Sequence, residues 1–438
     1  YGYYSDKGAD GSRNLKEIFT EVELPLLDGL PGVEELTITA SGRWSEESFY
    51  DPATTYSLKG VYRPFKWLTI RGTQGTSYRA PNLRERFLNG TTGFQTVYDP
   101  CVVPADARVP DPTDLLAKPG YNSTLDLRDT AVLDACRLAG VDPTSLGLGT
   151  SGSPESFTSN GSTEINTGGS LELKEERSLA KTFGFVFEQP IFEEFDLTVS
   201  LTRFNIEVTN SIAEPSYAYS VNQCYSSEGN KAFCSRISRN DAGQIDLVDE
   251  SFINIGLLTT KGFDYNIFYN QEFVINDRTL DVSLDLQATR QTESLYDVLG
   301  TVDDNVGEIS NPEWRGTARL NLSYDDYRFS WTTNYIGAGE LDDLGEFEEG
   351  TVGCGGLTDS AGNAIKCRPV GYSTSYKYHN MSFSWVSDDF TVTAGVRNVF
   401  NHEPPKVDSS VFSNNNIPLG VAYDTNGRTP YINFRASF

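Results

Sequence analysis

Several things are scarce or missing in this 438-residue chain, and each absence removes a class of protein. No stretch approaches the roughly 18–20 continuous apolar residues of a membrane-crossing helix. No charged-then-apolar leader opens it, and residue 1 is not methionine. Basic residues are few: 35 Lys and Arg stand against 61 Asp and Glu, for a net charge of −26. Nucleic-acid affinity comes largely from Lys and Arg on phosphates, so nucleic acid is not an expected partner. The surplus acid reads as solvated loops. The acidic run Asp342-Asp343, Glu346, Glu348-Glu349 lacks the ligand spacing of a calcium loop. Histidine occurs twice, as His379 and His402, which speaks against a Cys/His metal site. There is no phosphate-cradling glycine loop and no nucleophile elbow; Thr150-Ser151-Gly152 is only a turn-like piece. No catalytic residue, metal or cofactor is therefore expected. Internal repeats and domain-separating linkers are also missing.

Cysteine is sparse but patterned. The six fall as Cys101/Cys136, Cys224/Cys234 and Cys354/Cys367, each pair inside one long connection. Pairing of neighbours within a connection is the simplest of many connectivities. Disulfides imply an oxidising compartment, and their expected role is to staple long loops.

What is present is alternation. Leu280, Val282, Leu284, Leu286 and Ala288 are apolar, and Asp281, Ser283, Asp285 and Gln287 between them are polar. Trp314, Ala318, Leu320, Leu322 and Tyr324 alternate with Arg315, Thr317, Arg319, Asn321 and Ser323. Leu36, Ile38, Ala40 and Trp44 alternate with Thr37, Thr39, Ser41 and Arg43. A period of two puts one set on each face of a strand. The charged second face is wet, and an apolar outside with a polar inside is the arrangement expected when the outer solvent is lipid. The runs are about 10 residues or longer, the length of a tilted membrane strand. A mean hydropathy of only −0.39 fits, because half of each strand avoids lipid.

About thirteen such segments are separated alternately by short and long connections. The short ones are Val386-Ser387-Asp388-Asp389, Tyr324-Asp325-Asp326-Tyr327, Phe273 to Arg278, Gln189 to Phe195 and Tyr62 to Lys66. The long ones are 401–428, 337–375, 290–313, 210–260 and 80–177. This is the pattern of an all-β, transmembrane antiparallel β-barrel, with tight periplasmic turns, long extracellular loops and a chain that finishes on the periplasmic side. The sequence predicts an irregular cap over 80–177, a short helix from Asp126 to Leu138, and mobility in the Ser/Gly/Thr-rich run Gly147 to Ser170. Tyr1-Gly2-Tyr3-Tyr4 reads as a strand already in progress, so further sequence is expected upstream.

Four stretches carry a family resemblance. Ser77-Tyr78-Arg79-Ala80-Pro81-Asn82-Leu83-Arg84-Glu85, after a strand from Trp67 to Thr73, closely resembles the SYRAPxLxEL signature of TonB-dependent outer-membrane receptors. Gly169 to Ser178 resembles that family's NPxLKPExS segment, with Glu175 where proline is usual. Asn398-Val399-Phe400-Asn401 is similar to a segment of its penultimate strand, and Gly427-Arg428-Thr429-Pro430-Tyr431 leads into a last strand ending on Phe438. The resemblance implies a 22-stranded barrel closed by an N-terminal plug. It also implies active import of a scarce nutrient (a ferric siderophore, cobalamin or an oligosaccharide) across the Gram-negative outer membrane, driven by the TonB-ExbB-ExbD complex. Residues 1–438 would then be the C-terminal portion of the barrel, in contact with outer-membrane lipid and lipopolysaccharide. About nine strands, the plug and the TonB box are not found in the chain.

Within that frame Arg79 is expected to pair with acidic groups on the inner wall, and Pro81 to end its strand. Ile432, Phe434 and Phe438 on one face resemble the family's terminal assembly signal. Candidate ligand contacts are the loop aromatics Tyr217, Tyr219, Tyr225, Phe347, Tyr372, Phe412 and Tyr423, with packing under the loops or an interfacial collar as the competing role. Two other readings fit part of the sequence: a passive pore without a plug, and a secreted adhesin built of β-sandwiches. One-sided loops count against the second.

Overall fold

The computed structural model describes residues 8–226, 229–298, 301–340, 353–358, 360, 364–366, 372–407 and 423–436. Thirteen strands follow one another in chain order around one antiparallel sheet. They are β1 (Leu15–Leu30), β2 (Val33–Glu47), β3 (Tyr50–Phe65), β4 (Leu68–Arg79), β5 (Glu176–Glu188), β6 (Phe195–Ala213) and β7 (Ile253–Ile275). After them come β8 (Arg278–Val298), β9 (Trp314–Tyr324), β10 (Tyr327–Ile336), β11 (Tyr376–Val386), β12 (Phe390–Arg397) and β13 (Thr429–Ala436). Among the described residues β1 and β13 do not pair with each other, so the sheet is a partial, unclosed barrel wall.

The pairing register confirms that the two faces differ. Leu280, Val282, Leu284 and Leu286 of β8 lie opposite Tyr324, Leu322, Leu320 and Ala318 of β9. On the other side Leu280, Leu284 and Leu286 face Phe273, Tyr269 and Ile267 of β7. The intervening Asp281, Ser283, Asp285 and Gln287 meet Ser323, Asn321, Arg319 and Thr317. The apolar face is uncovered: Ile432 is 76% exposed and Phe183 63%. In water such a face would be an aggregation surface; against lipid it is the ordinary outside of a barrel. Tight turns close the other end of the hairpins. Between β7 and β8, Asn276 (φ 50°) and Asp277 (φ 62°) adopt the left-handed backbone that a two-residue hairpin needs, which Asn and Asp tolerate.

Several boundaries differ from the sequence reading. The β3–β4 turn is Lys66-Trp67, and β4 extends through Arg79, so Thr76 to Arg79 lie inside the strand. The connection expected at 210–260 is only 214–252, and β8 continues to Val298 where a loop was expected from 290. Here the strands rise toward the long-loop end, where Thr259 and Val298 are buried, and alternation fades. Bulges at Lys261/Gly262 and between Val208 and Ser211 also switch the parity. The alternation of short and long connections has one exception, since β2 and β3 are joined by Ser48-Phe49 alone at the long-loop end. Phe49 there packs edge-on against Phe87, at 5.4 Å, of the short helix α1 (Leu83–Phe87).

The cap is folded, which corrects the expectation of an irregular one. Residues 80–175 and 214–252 together build a four-stranded sheet in the order Ile237–Arg239, Ile245–Asp249, Asn160–Thr167, Thr91–Tyr98. The middle pair is parallel and joins the two loops. The strand Asn160–Thr167 lies within the run Gly147 to Ser170 expected to be mobile. Helices α2 (Thr130–Leu138) and α3 (Tyr217–Tyr225) pack against it over a core that includes Val97, Val102, Ile165, Val221, Ile245 and Val248. The helix expected from Asp126 begins at Thr130, capped by Asp129, because Asp126 and Arg128 are engaged in a buried ion pair. Disulfides Cys101–Cys136 and Cys224–Cys234 form as expected, one in each loop. Cys367 and the side chain of Cys354 lie outside the described residues, as do Phe347, Phe412 and Phe438.

Candidate functional site

Arg79 closes β4 and gathers four elements. Its Nε donates to Glu176 Oε2 across the β4–β5 pair at 2.5 Å, and its Nη1 to both oxygens of Glu85 at 3.0 Å. Glu85 completes the capping box of α1 with Asn82. The other Glu176 oxygen accepts the N–H of Ile212 in β6 at 2.8 Å. Two rows lower, the hydroxyls of Ser77 and Ser178 meet at 2.7 Å. Ala80 and Pro81 follow the strand, and the Pro81 carbonyl accepts from Arg13 at 3.4 Å. Tyr78 lies opposite Arg177 in the register. The segment is thus a clamp between wall and cap.

Asn398 to Asn401 lie just past β12, not within it. Asn398 (φ 47°) and Asn401 (φ 53°) are left-handed and cannot continue a strand. Asn398 is fully buried and bonds both the N–H and the carbonyl of His402. Tyr423 packs edge-on to Tyr376, at 5.2 Å, beside this turn. Tyr372 stands apart and is 52% exposed. The remaining candidates lie on α3. Tyr225 is buried and accepts from Arg239 Nη2 at 2.9 Å, and Tyr219 packs edge-on to Phe233. Tyr217 and Tyr225 share one face of that helix; the other tyrosines are not brought to them.

The inner face of β7 to β10 forms a polar groove lined by Asp264, Asn266, Gln287, Thr289, Thr317 and Asn334 among others. Thr289 Oγ1 donates to Asp264 at 2.7 Å and Thr317 Oγ1 to Asn334 at 3.2 Å. Across β1 to β3 the same face carries the ion pairs Arg43–Glu17 (3.5 Å), Lys59–Glu21 (4.0 Å) and Arg63–Glu35 (3.8 Å). A polar solute passing along such a wall exchanges hydrogen bonds with it and need not be stripped of polar contacts.

The outer face records depth. One aromatic row lies near the tight turns, with contacts Trp67–Phe187, Phe195–Tyr269, Trp385–Phe390 and Phe390–Phe434. A second contains Tyr265 stacked on Trp314 at 5.6 Å. Trp314 and Tyr324, at opposite ends of β9, are separated by about 33 Å of strand, or about 23 Å after a 45° tilt, close to the roughly 25 Å height of an outer-membrane band. At the upper row the register runs Phe183, Arg203, Phe263, Arg290, Trp314 across five strands. One step higher it runs Lys181, Asn205, Lys261, Glu293. Lys261 pairs with Glu293 at 2.7 Å and Arg290 with Glu313 at 2.6 Å. Lys181 and Arg203 are exposed.

Two buried ion pairs lie inside the cap. Arg128 and Asp126 are both nearly inaccessible, and Arg128 also donates to the carbonyls of Pro100, Cys101, Val102 and Pro143. Bonding to Arg128 holds the Asp126 carboxyl down at about 2. Glu250, which accepts the Tyr217 N–H at the start of α3, is raised by burial and by the neighbouring Glu214 and Asp249. Asp99 and Arg239 form the second buried pair. No local pattern announces these partners, because Asp99 and Arg239 come from different loops.

The family model for the TonB-dependent receptor-like β-barrel matches residues 1–399. Among solved structures, the siderophore receptor PirA from Acinetobacter baumannii superposes over 97% of this chain and 46% of its own, with a TM-score of 0.55 and 15% identity. A mutant of the ferric enterobactin receptor PfeA from Pseudomonas aeruginosa covers 97% and 45%, with a TM-score of 0.54 and 15% identity. At that identity the likeness is one of fold alone. The chain spans less than half the length of either structure. No curated protein matches it in a sequence search.

Proposed function

This chain belongs to the TonB-dependent receptor β-barrel family, a family of transport receptors in the outer membrane of Gram-negative bacteria, and from that premise we propose that residues 1–438 are the wall and cap of an active nutrient importer. A ferric siderophore is the first substrate class to examine, because PirA and PfeA are siderophore receptors of this fold. The observation that carries the reading is the opposition of faces: a polar, hydrogen-bonding inner wall behind an apolar band bounded by aromatic rows. That geometry suits transit of a polar solute through lipid.

Energy would come from the TonB-ExbB-ExbD complex through sequence outside this chain. Lipopolysaccharide would meet the outer rim, where Lys181 and Arg203 face outward without an ion-pair partner among the described residues and suit lipid phosphates. In this account Arg79 positions the cap and does not touch ligand, while Ile432 and Phe434, exposed on the lipid face, serve assembly together with Phe438. The test is growth of iron-starved cells on a panel of ferric siderophores, with and without the gene. At least one siderophore should support growth only when the receptor is present; equal growth on all of them removes the siderophore assignment.

A further inference from the structure

The cap holds a cavity of about 430 Å3 between α3, α2 and the strand Thr91–Tyr98, open to solvent on the side of Tyr98 and Ala218. Its floor is the cap core itself: Val97, Val221 and Tyr225 are 2%, 6% and 3% exposed. Tyr98 and Tyr217 stand beside them, and Asn160 and Asn222 supply carboxamides. No Asp, Glu, Lys, Arg or His is among the lining residues. The grooves of the wall are different, presenting Asp264 and Arg315 in one and Glu21 and Arg43 in the other.

A lining without charge would strip water from an ionic solute and return hydrogen bonds but no counter-charge, so it favours a neutral one. Three tyrosine rings around one space favour a planar ring, through edge and face contacts that an alkyl chain cannot make. Each carboxamide offers both a donor and an acceptor, which matches a polar, uncharged substituent on that ring. The volume falls within the roughly 300–1,000 Å3 of small-molecule sites. We propose that this cavity is a binding site for a neutral, amide-bearing aromatic solute of the benzamide class, separate from the polar groove of the wall. It is formed entirely by the cap and needs no energised step, so it does not rest on the import reading.

The test is a 19F NMR titration of 4-fluorobenzamide into the complete receptor in nanodiscs, with empty nanodiscs as the blank for lipid partitioning. The charged isostere 4-fluorobenzoate is titrated in parallel. Ala218 lines the cavity yet is exposed, so Ala218→Trp fills the space without entering the core. Tyr98→Ser removes one ring at a half-exposed position. Saturable binding of the amide is expected, about tenfold weaker for the benzoate and for each variant, with heat-modifiable migration on a gel retained. Failure of the amide to saturate, equal binding of the benzoate, or undiminished binding in both variants overturns the proposal. None of these results bears on uptake.

Discussion

Arg239 Nη1 reaches Asp99 Oδ2 at 2.5 Å and Nη2 reaches Asp99 Oδ1 at 2.9 Å, although 140 residues separate the two in the chain. This bidentate pair is buried and joins the loop after β4 to the loop after β6. Asp99→Asn leaves the guanidinium buried without its counter-charge, at a cost of about 3–5 kcal/mol to the cap. Hydrogen exchange in Asn160–Thr167 and Ile245–Asp249 should accelerate, while heat-modifiable migration of the wall stays unchanged. Unaltered exchange in both strands would mean the pair does not hold the cap together.

The two disulfides should differ in weight. Cys101–Cys136 spans a sequence separation of 35 and Cys224–Cys234 one of 10. Loop-closure entropy gives about 4 and about 3 kcal/mol respectively. Replacing the first pair by serine is therefore expected to raise protease sensitivity of the cap more than replacing the second. The reverse order would show that local packing, not closure, governs the effect.

Arg79 gives a sharper test of a motif residue. Arg79→Ala removes charge-assisted bonds to Glu85 and Glu176, worth roughly 1–3 kcal/mol together, half-exposed as the arginine is. Protease cleavage near α1 should increase and ligand affinity change less than about threefold. A loss of affinity with no change at α1 would move Arg79 from positioning into recognition.

Acid should act on the cap with two opposite signs. The Asp126 carboxyl, depressed to about 2, contributes stability that is complete above pH 3.8 and is lost as pH falls toward its folded value. Glu250 is raised above 4.5, so its contribution is present when protonated and is lost as pH rises through its folded value. Glu250→Gln should therefore stabilise α3 at pH 7 and have no effect at pH 4, read by hydrogen exchange of Tyr217–Tyr225. Destabilisation at pH 7 would mean that the carboxylate's bond to the Tyr217 N–H outweighs its burial.

The wall was legible because lipid enforces a period of two: Leu280 to Ala288 could face only one way. Legibility stopped where that solvent stops. Above Phe263 the apolar-out rule lapses, with Thr259 and Val298 buried, and the bulge at Lys261/Gly262 reverses parity, so the upper reaches of β7 and β8 read as loop. The cap sheet was invisible for another reason. Asn160–Thr167 carries one apolar side chain, Ile165, and pairs with Leu247 to Asp249 from another loop, so no local periodicity marks it. The Ser77–Pro81 motif was visible, but its partners were not, since Glu176 lies 97 residues from Arg79. Of the five tyrosines expected to contact ligand, Tyr225 is held in the cap core by a partner no spacing could indicate.

Energised import is tested most directly by the initial rate of radiolabelled ferric-siderophore uptake, with the receptor present, in cells with and without TonB. Uptake that saturates and disappears without TonB is the expected result. Uptake that persists at the same rate without TonB would contradict it and leave a passive pore.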